Sequence, residues 1–237
     1  GVMPLRGQNN VQGACDMGAL PNVHVGYQPV NDPAVQFKFQ EAWRALLPSL
    51  PGQTSTQMME NNPGKEIHGL YILGEDPAHT EPDTNRVRST LESLDFLVVQ
   101  EIFPTETTEY ADVILPAASF AECDGTFTNG ERRIQRVRKA IPALCGQENW
   151  QTICHISQRM GYPMNYSHPS EIMDEIASLA PMFAGVSFDR LDDGGLQWPC
   201  PSPDHPGTET LHAECFSCGL GKFNAVRHKL PAEQPDP

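Results

Sequence analysis

No apolar run in this sequence approaches the roughly 20 residues that a membrane-spanning helix needs. No basic start followed by an apolar stretch reads as a signal peptide. Positive charge is scarce: 16 Lys and Arg stand against 30 Asp and Glu, a formal net charge of -14. A surface that acidic repels phosphate backbones and excludes non-specific nucleic-acid binding. A small anionic ligand would need a local Arg or free backbone N–H groups to overcome the field. The 7 cysteines are odd in number and irregular in spacing, which excludes a disulfide framework and points to reduced thiols. No internal repeat is present.

What remains is a chain of 237 residues, 39% hydrophobic, with 22 Pro and 19 Gly. Its length suits one large domain or two small ones, and its composition a loop-rich protein. It opens Gly1-Val2 without Met and enters a motif almost at once, as expected of a piece of a longer chain. "DPAVQFKFQEAW" carries Val35, Phe39, Ala42 and Leu46 at helical spacing. "LPSLPGQTSTQMMENNPG" reads as loop. "HGLYILG" (68–74), "DFLVVQ" (95–100) and "ADVILPA" (111–117) are short, nearly continuous apolar strands. Between the first two lies "PDTNRVRSTLESL", a helix with Pro82 and Asp83 at its start. Such strands, separated by helix-length segments, predict an α/β fold with a parallel sheet and helices packed on it. "ENWQTICHISQRMG" and "HPSEIMDEIASLAP" are two further helices, "KFNAVRH" is a candidate late strand, and "PAEQPDP" resembles an interdomain linker.

Open parallel sheets bind ligands outside the carboxyl ends of their strands. Here those ends carry Gly74, Glu75, Asp76 and Thr80, then Gln100 and Glu101, then Glu122. A carboxylate such as Asp76 can accept two hydrogen bonds from a ribose diol or the donor edge of guanine. The plainer reading of Asp76 and Thr80 is helix capping, and of Gln100 and Glu101 a solvated strand end. The Gly-Glu-Asp-Pro turn is not a G-x-G-x-x-G fingerprint. The run "PLRGQNNVQGACDMG" differs from all of this. Arg6 offers a planar fork for a carboxylate or phosphate. Gln8, Asn9, Asn10 and Gln12 can donate and accept, which suits a pterin or nucleobase. Its glycines allow close backbone approach. The composition is not that of a core helix, and the plain alternative is a loop capped by its own amides.

Other candidates are weaker. Cys15 is a small thiol with no neighbouring His. His212, Cys215 and Cys218 contain one C-x-x-C without a second pair, so no metal site is assigned. Arg132, Arg133, Arg136, Arg138 and Lys139 form either a balancing surface or a docking face for an anion.

"RGQNNVQGACDMGALPNVHVGYQ" resembles the catalytic subunits of molybdenum- or tungsten-dependent formate dehydrogenases, within the molybdopterin-guanine-dinucleotide oxidoreductases. "YILGEDP", "FLVVQEIFPTETTEYADVILPAASFAE", "DGTFTNGERRIQ", "ISQRMGYPM" and "LQWPC" continue the resemblance in order over roughly residues 4 to 200. It implies part of a Rossmann-like αβα sandwich within a larger subunit. Residues 1–66 would form an interdomain crossing that lines the cofactor cleft. Residues 67–200 would bind molybdopterin guanine dinucleotide, and 201–237 would lead as a tail to a C-terminal domain. The resemblance implies that Arg6 orients formate and that Gln8, Asp76, Thr80 and Gln100 contact the cofactor. A further contact, an acid in the family, falls on Asn149, with Glu148 as its possible substitute. Two such cofactors would hold each Mo or W. The metal ligand and an iron–sulfur cluster would lie upstream, so none of the seven cysteines is a ligand and the piece alone would not turn over. The remaining domains and electron-transfer subunits would be its partners and the cytoplasm its location. The alternatives are another molybdopterin oxidoreductase, such as a nitrate reductase, and a non-catalytic relative in a respiratory complex.

Overall fold

A computed structural model describes residues 7–60, 66–216, 219–228 and 230. In chain order the elements are α1 (Val11–Asp16), β1 (Val23–His24), β2 (Gln28–Pro29), α2 (Pro33–Trp43), α3 (Ser55–Glu60), β3 (Gly69–Leu73), α4 (Pro77–Thr80), α5 (Thr84–Ser93), β4 (Phe96–Glu101), β5 (Val113–Pro116), β6 (Gly125–Thr128), β7 (Arg133–Val137), α6 (Asn149–Arg159), α7 (Pro169–Leu179), α8 (Phe188–Leu191) and β8 (Leu196–Gln197). They fall into two compact units. One comprises residues 1–54 and 118–208, the other 55–117 and 209–237.

The second unit holds the mixed α/β core. β3, β4 and β5 form a parallel sheet in that order, with Tyr71 opposite Val98, and Val98 opposite Val113. One face buries Leu97 and Val99 against Val87 and Leu91 of α5, Met59 of α3 and Ala78 of α4. Each fully buried aliphatic side chain there contributes about 1.5–3 kcal/mol. The opposite face carries Tyr71, Leu73 and Phe96, which are 40, 38 and 51% exposed. α5 starts at Thr84, two residues later than its Pro82 signal implies. Asp83 is its N-cap, in the left-handed region at φ 60°, and its carboxylate accepts from the Arg86 N–H.

The first unit is built from helices and a small antiparallel sheet, β6-β7-β8. Asp32 caps α2 by accepting from the Ala34 and Val35 N–H groups, with Pro33 at the first helical position. Phe39, Ile134, Phe183 and Leu191 are fully buried in its core.

The basic run, expected as either a balancing surface or a docking face, lies on a β-hairpin in which Thr128 faces Ile134 and whose turn, residues 129–132, closes with the Arg132 N–H donating to the Asn129 carbonyl at 2.9 Å. Three expectations need correction. The stretch expected as loop around residues 48–64 contains α3, whose Met59 is buried under the sheet. "KFNAVRH" forms no strand: residues 222–228 are exposed and have no partner ladder. The opening run does contain a helix with buried residues. In α1, Gln12 and Asp16 stand four apart on one face and are both buried.

Charge is spent locally in this unit. Arg133 pairs with Glu131 at 2.8 Å, Arg136 with Asp124 at 2.7 Å, Arg138 with Asp192 at 2.6 Å and Lys139 with Glu148 at 2.6 Å. Arg132 donates to the carbonyls of Trp198 and Thr208. All five basic residues therefore balance the unit from within.

Several carboxyls of the unit titrate below their ordinary value of 4.5. Glu122 is held down by the N–H groups of Leu144 and Ser119, and Glu171 by the hydroxyl and N–H of Ser167. Burial raises Glu148, but Lys139, the Asp124 N–H and the Trp150 indole together outweigh it. Folded values below unfolded values give stability that is fully present above pH 4.5 and lost as pH falls through the folded values. Through these carboxyls the urea midpoint should therefore drop between about pH 5 and about pH 3. The acid-side drop should shrink in Glu122→Gln. An unchanged pH profile in that variant would remove Glu122 from the account.

Candidate functional site

The carboxyl edge of the parallel sheet gathers three of the sequence-predicted residues within one unit. β3 ends at Gly74, whose φ of +66° only glycine adopts without strain, and a Cβ built there meets no atom within 4 Å. The backbone at the strand end therefore faces open space. The chain then passes exposed Glu75 to half-buried Asp76, at the start of α4.

Asp76 occupies the cap position but does not cap through its side chain. Its Oδ1 accepts from the Thr107 N–H at 2.9 Å and from the Thr107 hydroxyl at 2.6 Å, tying the β3 loop to the β4 loop. Thr107 Oγ1 in turn accepts from the Ala78 N–H at 3.1 Å. No hydrogen bond from a described residue reaches Asp76 Oδ2. Thr80 is exposed, and its hydroxyl donates to the Asp76 carbonyl at 3.0 Å, leaving its oxygen able to accept. In the same β4 loop, Thr105 Oγ1 is buried with no hydrogen-bond partner among the described residues.

Gln100, at the end of β4, is 0% exposed. Tyr71 donates its hydroxyl to Gln100 Oε1, and Gln100 Nε2 donates to the Pro116 carbonyl at 3.4 Å. Its amide thus braces β3 to β5 from inside the sheet. Burial raises the Tyr71 phenol above its ordinary pKa of 10.0, so it stays protonated and keeps donating.

The other predicted residues belong to the first unit. Arg6 lies outside the described residues. Gln8 is exposed. Asn149, at the start of α6, clasps one residue: its Oδ1 accepts from the Ala118 N–H at 2.8 Å and its Nδ2 donates to the Ala118 carbonyl at 3.0 Å. Glu148, its possible substitute, is buried and forms a capping box with Gln151.

The opening run is anchored by a network that sequence reasoning missed. Asp16 Oδ1 accepts from Gln12 Nε2 at 2.7 Å and from the Tyr27 hydroxyl at 2.7 Å, and Oδ2 accepts from Trp198 Nε1 at 2.6 Å. Burial and the Asp16 contact drive the Tyr27 phenol upward, keeping its proton on the donor. The Asn10 side chain is equally committed, accepting from the Thr128 N–H at 2.9 Å. A Cβ at Gly13 would lie 2.1 Å from Asn10 Oδ1 and would displace that bond. Gln12 four residues before Asp16 was the available sequence signal. The Trp198 partner, 182 residues away, had none.

Among the described residues, no group of three His, Cys, Asp or Glu side chains could hold a metal ion, and no helix is long and apolar enough to cross a membrane. Cys218 lies outside the described residues.

The molybdopterin oxidoreductase family model matches residues 4–159, well over half of the chain. The sequence is 50% identical over 235 residues to the F420-dependent formate dehydrogenase 2 subunit alpha of Methanococcus maripaludis, covering 97% of this chain and 34% of that protein. It is 48% identical over 242 residues to the F420-dependent formate dehydrogenase subunit alpha of Methanocaldococcus jannaschii, covering 100% of this chain and 35% of that protein. A second Methanococcus maripaludis protein, F420-dependent formate dehydrogenase 1 subunit alpha, is 45% identical over 242 residues. The chain thus spans about a third of the length of these relatives.

Proposed function

Because the chain belongs to the molybdopterin oxidoreductase family, we propose that it is a cofactor-binding portion of a formate dehydrogenase catalytic subunit. The observation that carries this reading is the sheet edge at Gly74, Asp76 and Thr80, inside the span that the family model matches. Its acceptor set fits a guanine dinucleotide. The free acceptor side of Asp76 suits the N–H edge of guanine, the Thr80 oxygen adds a second acceptor, and Gly74 lets the ligand approach the backbone. Gln100 braces this edge from beneath. In the first unit, exposed Gln8 is the remaining contact we assign to the cofactor, while Asn149 holds the turn at Ala118.

On this reading the cofactor is the guanine-dinucleotide form, two per Mo or W, and it supplies the two-electron oxidation of formate to CO2 when bound. The part of the subunit beyond this chain provides the metal ligand and an iron–sulfur cluster, and partner subunits in the cytoplasm receive the electrons. Arg6 orients formate by gripping its carboxylate with two parallel N–H donors. The names of the relatives favour formate over nitrate as substrate.

The test is made in a cofactor-loaded subunit of the relatives' length that carries this sequence. Formate should reduce a viologen dye, and reduced dye should not drive nitrate reduction. Nitrate turnover without formate turnover would overturn the assignment. A narrower prediction concerns Asp76→Asn. The amide oxygen keeps both Thr107 bonds, whereas an N–H2 replaces the acceptor offered to guanine. Bound pterin, read by fluorescence of the released cofactor, should need at least about tenfold more cofactor to saturate. Unchanged loading would leave Asp76 with its Thr107 contact only.

A further inference from the structure

The first unit contains a cleft of about 700 Å³ that none of the residues above uses. β1, the end of α2, α6 and α7 wall it with His24, Trp43, Trp150, Tyr166, Ile176 and Leu179. Its polar lining is largely self-satisfied. Glu175 accepts from the Trp43 indole at 2.8 Å and from the Tyr166 hydroxyl at 2.6 Å, and the Tyr162 hydroxyl donates to the Trp43 carbonyl at 3.0 Å. His24 is the exception. Its ring stacks on Phe39 at 4.5 Å, and its buried Nε2 has no hydrogen-bond partner among the described residues. Burial, and then the nearby Lys38 charge, hold this imidazole below its ordinary pKa, so it is neutral near pH 7. Apolar side chains stay open to solvent at the mouth: Ile153, in the wall, is 40% exposed, and Leu46, between wall residues Ala45 and Leu47, is 94% exposed.

A cleft this apolar, with Ile153 and Leu46 open at its mouth, is a surface built to be covered. One occupant is available in quantity. The relatives are about three times as long as the stretch this chain matches, so most of the family's subunit lies in sequence this chain does not span. We propose that the cleft seats an apolar segment from that remainder of the same polypeptide, which fills the space between α6 and α7. This rests on the reading of the chain as part of a subunit of the relatives' length. The segment contributes aliphatic or aromatic side chains to the Trp43, Trp150 and Ile176 walls.

The test is photo-crosslinking in a full-length subunit that carries this sequence. Benzoylphenylalanine is placed at Ile153, whose exposure lets it be replaced without disturbing the core, and separately at Ile176. Irradiated protein is digested and the joined peptides are identified by mass spectrometry. Both probes should join to peptides of the same subunit that lie outside these 237 residues. Adding Ile176→Arg should lower the Ile153 crosslink at least about tenfold, because the seated segment would bury an unpaired charge. Crosslinks confined to these 237 residues, to a second copy, to another subunit or to a small molecule would overturn the proposal, as would a folded protein with no crosslink at Ile153. Formate turnover is not part of this readout, so failure here leaves the functional reading standing, and loss of turnover leaves the crosslink result intact.

Discussion

Replacing Asp16 by alanine should destabilise the first unit by about 3–5 kcal/mol, the largest effect expected from any single described side chain. Asp16 is fully buried and serves three donors at once: the Gln12 amide, the Tyr27 hydroxyl and the Trp198 indole. A carboxylate only accepts, which is why three donors can converge on it. Alanine leaves the Tyr27 hydroxyl and the Trp198 indole without their acceptor, each costing about 1–3 kcal/mol of unrecovered desolvation, while the Gln12 amide keeps its bond to the Tyr27 oxygen. Asp16→Asn should cost less, yet still about 1–3 kcal/mol, because its N–H2 must face one of the donors. The measurement is urea unfolding followed by tryptophan fluorescence. All 3 tryptophans, Trp43, Trp150 and Trp198, belong to this unit, so the signal reports on it alone. A midpoint unmoved by the alanine variant would mean that the network does not hold α1 in place.

The second large effect is expected at Arg6, in the cofactor-loaded subunit. Arg6→Lys should lower kcat/KM for formate by about 10- to 100-fold, the loss expected when one charge-assisted hydrogen bond of a bidentate pair disappears. An ammonium keeps the charge but not the planar fork, so cofactor content should stay near the parent level. That split separates a role in orienting substrate from a role in binding the pterin. Parent-level formate kinetics in the variant would remove Arg6 from the reaction. Equal losses of turnover and cofactor would reassign it to the cofactor.

The parallel sheet was legible in the sequence because each strand carries its own signal. "LYIL", "FLVV" and "VIL" are apolar runs too short for helices, and the helix between β3 and β4 announces itself with Pro82 and Asp83. The position of Asp76, Thr80 and Gln100 at one edge followed from topology alone. Their side-chain roles did not. Asp76 reads as a cap, yet it binds Thr107, which arrives from another strand. Gln100 reads as a solvated strand end, yet it is enclosed, because Tyr71 and Pro116 on the flanking strands offer its amide both kinds of partner.

The opening run shows the same divide most plainly. The sequence by itself determined that 4–18 is polar, amide-rich and glycine-rich, and that its likeness runs to the molybdopterin oxidoreductases, because residue types and their order are local information. Only the tertiary structure decided which of those polar groups face inward. Gln12 and Asp16 are buried because the Tyr27 hydroxyl accepts from Gln12 and donates to Asp16 and the Trp198 indole donates to Asp16, and Asn10 is tied down because the Thr128 N–H reaches it. Burying a polar group is tolerable only where its partners converge. Convergence across 182 residues is a property of the folded chain, not of any window along it.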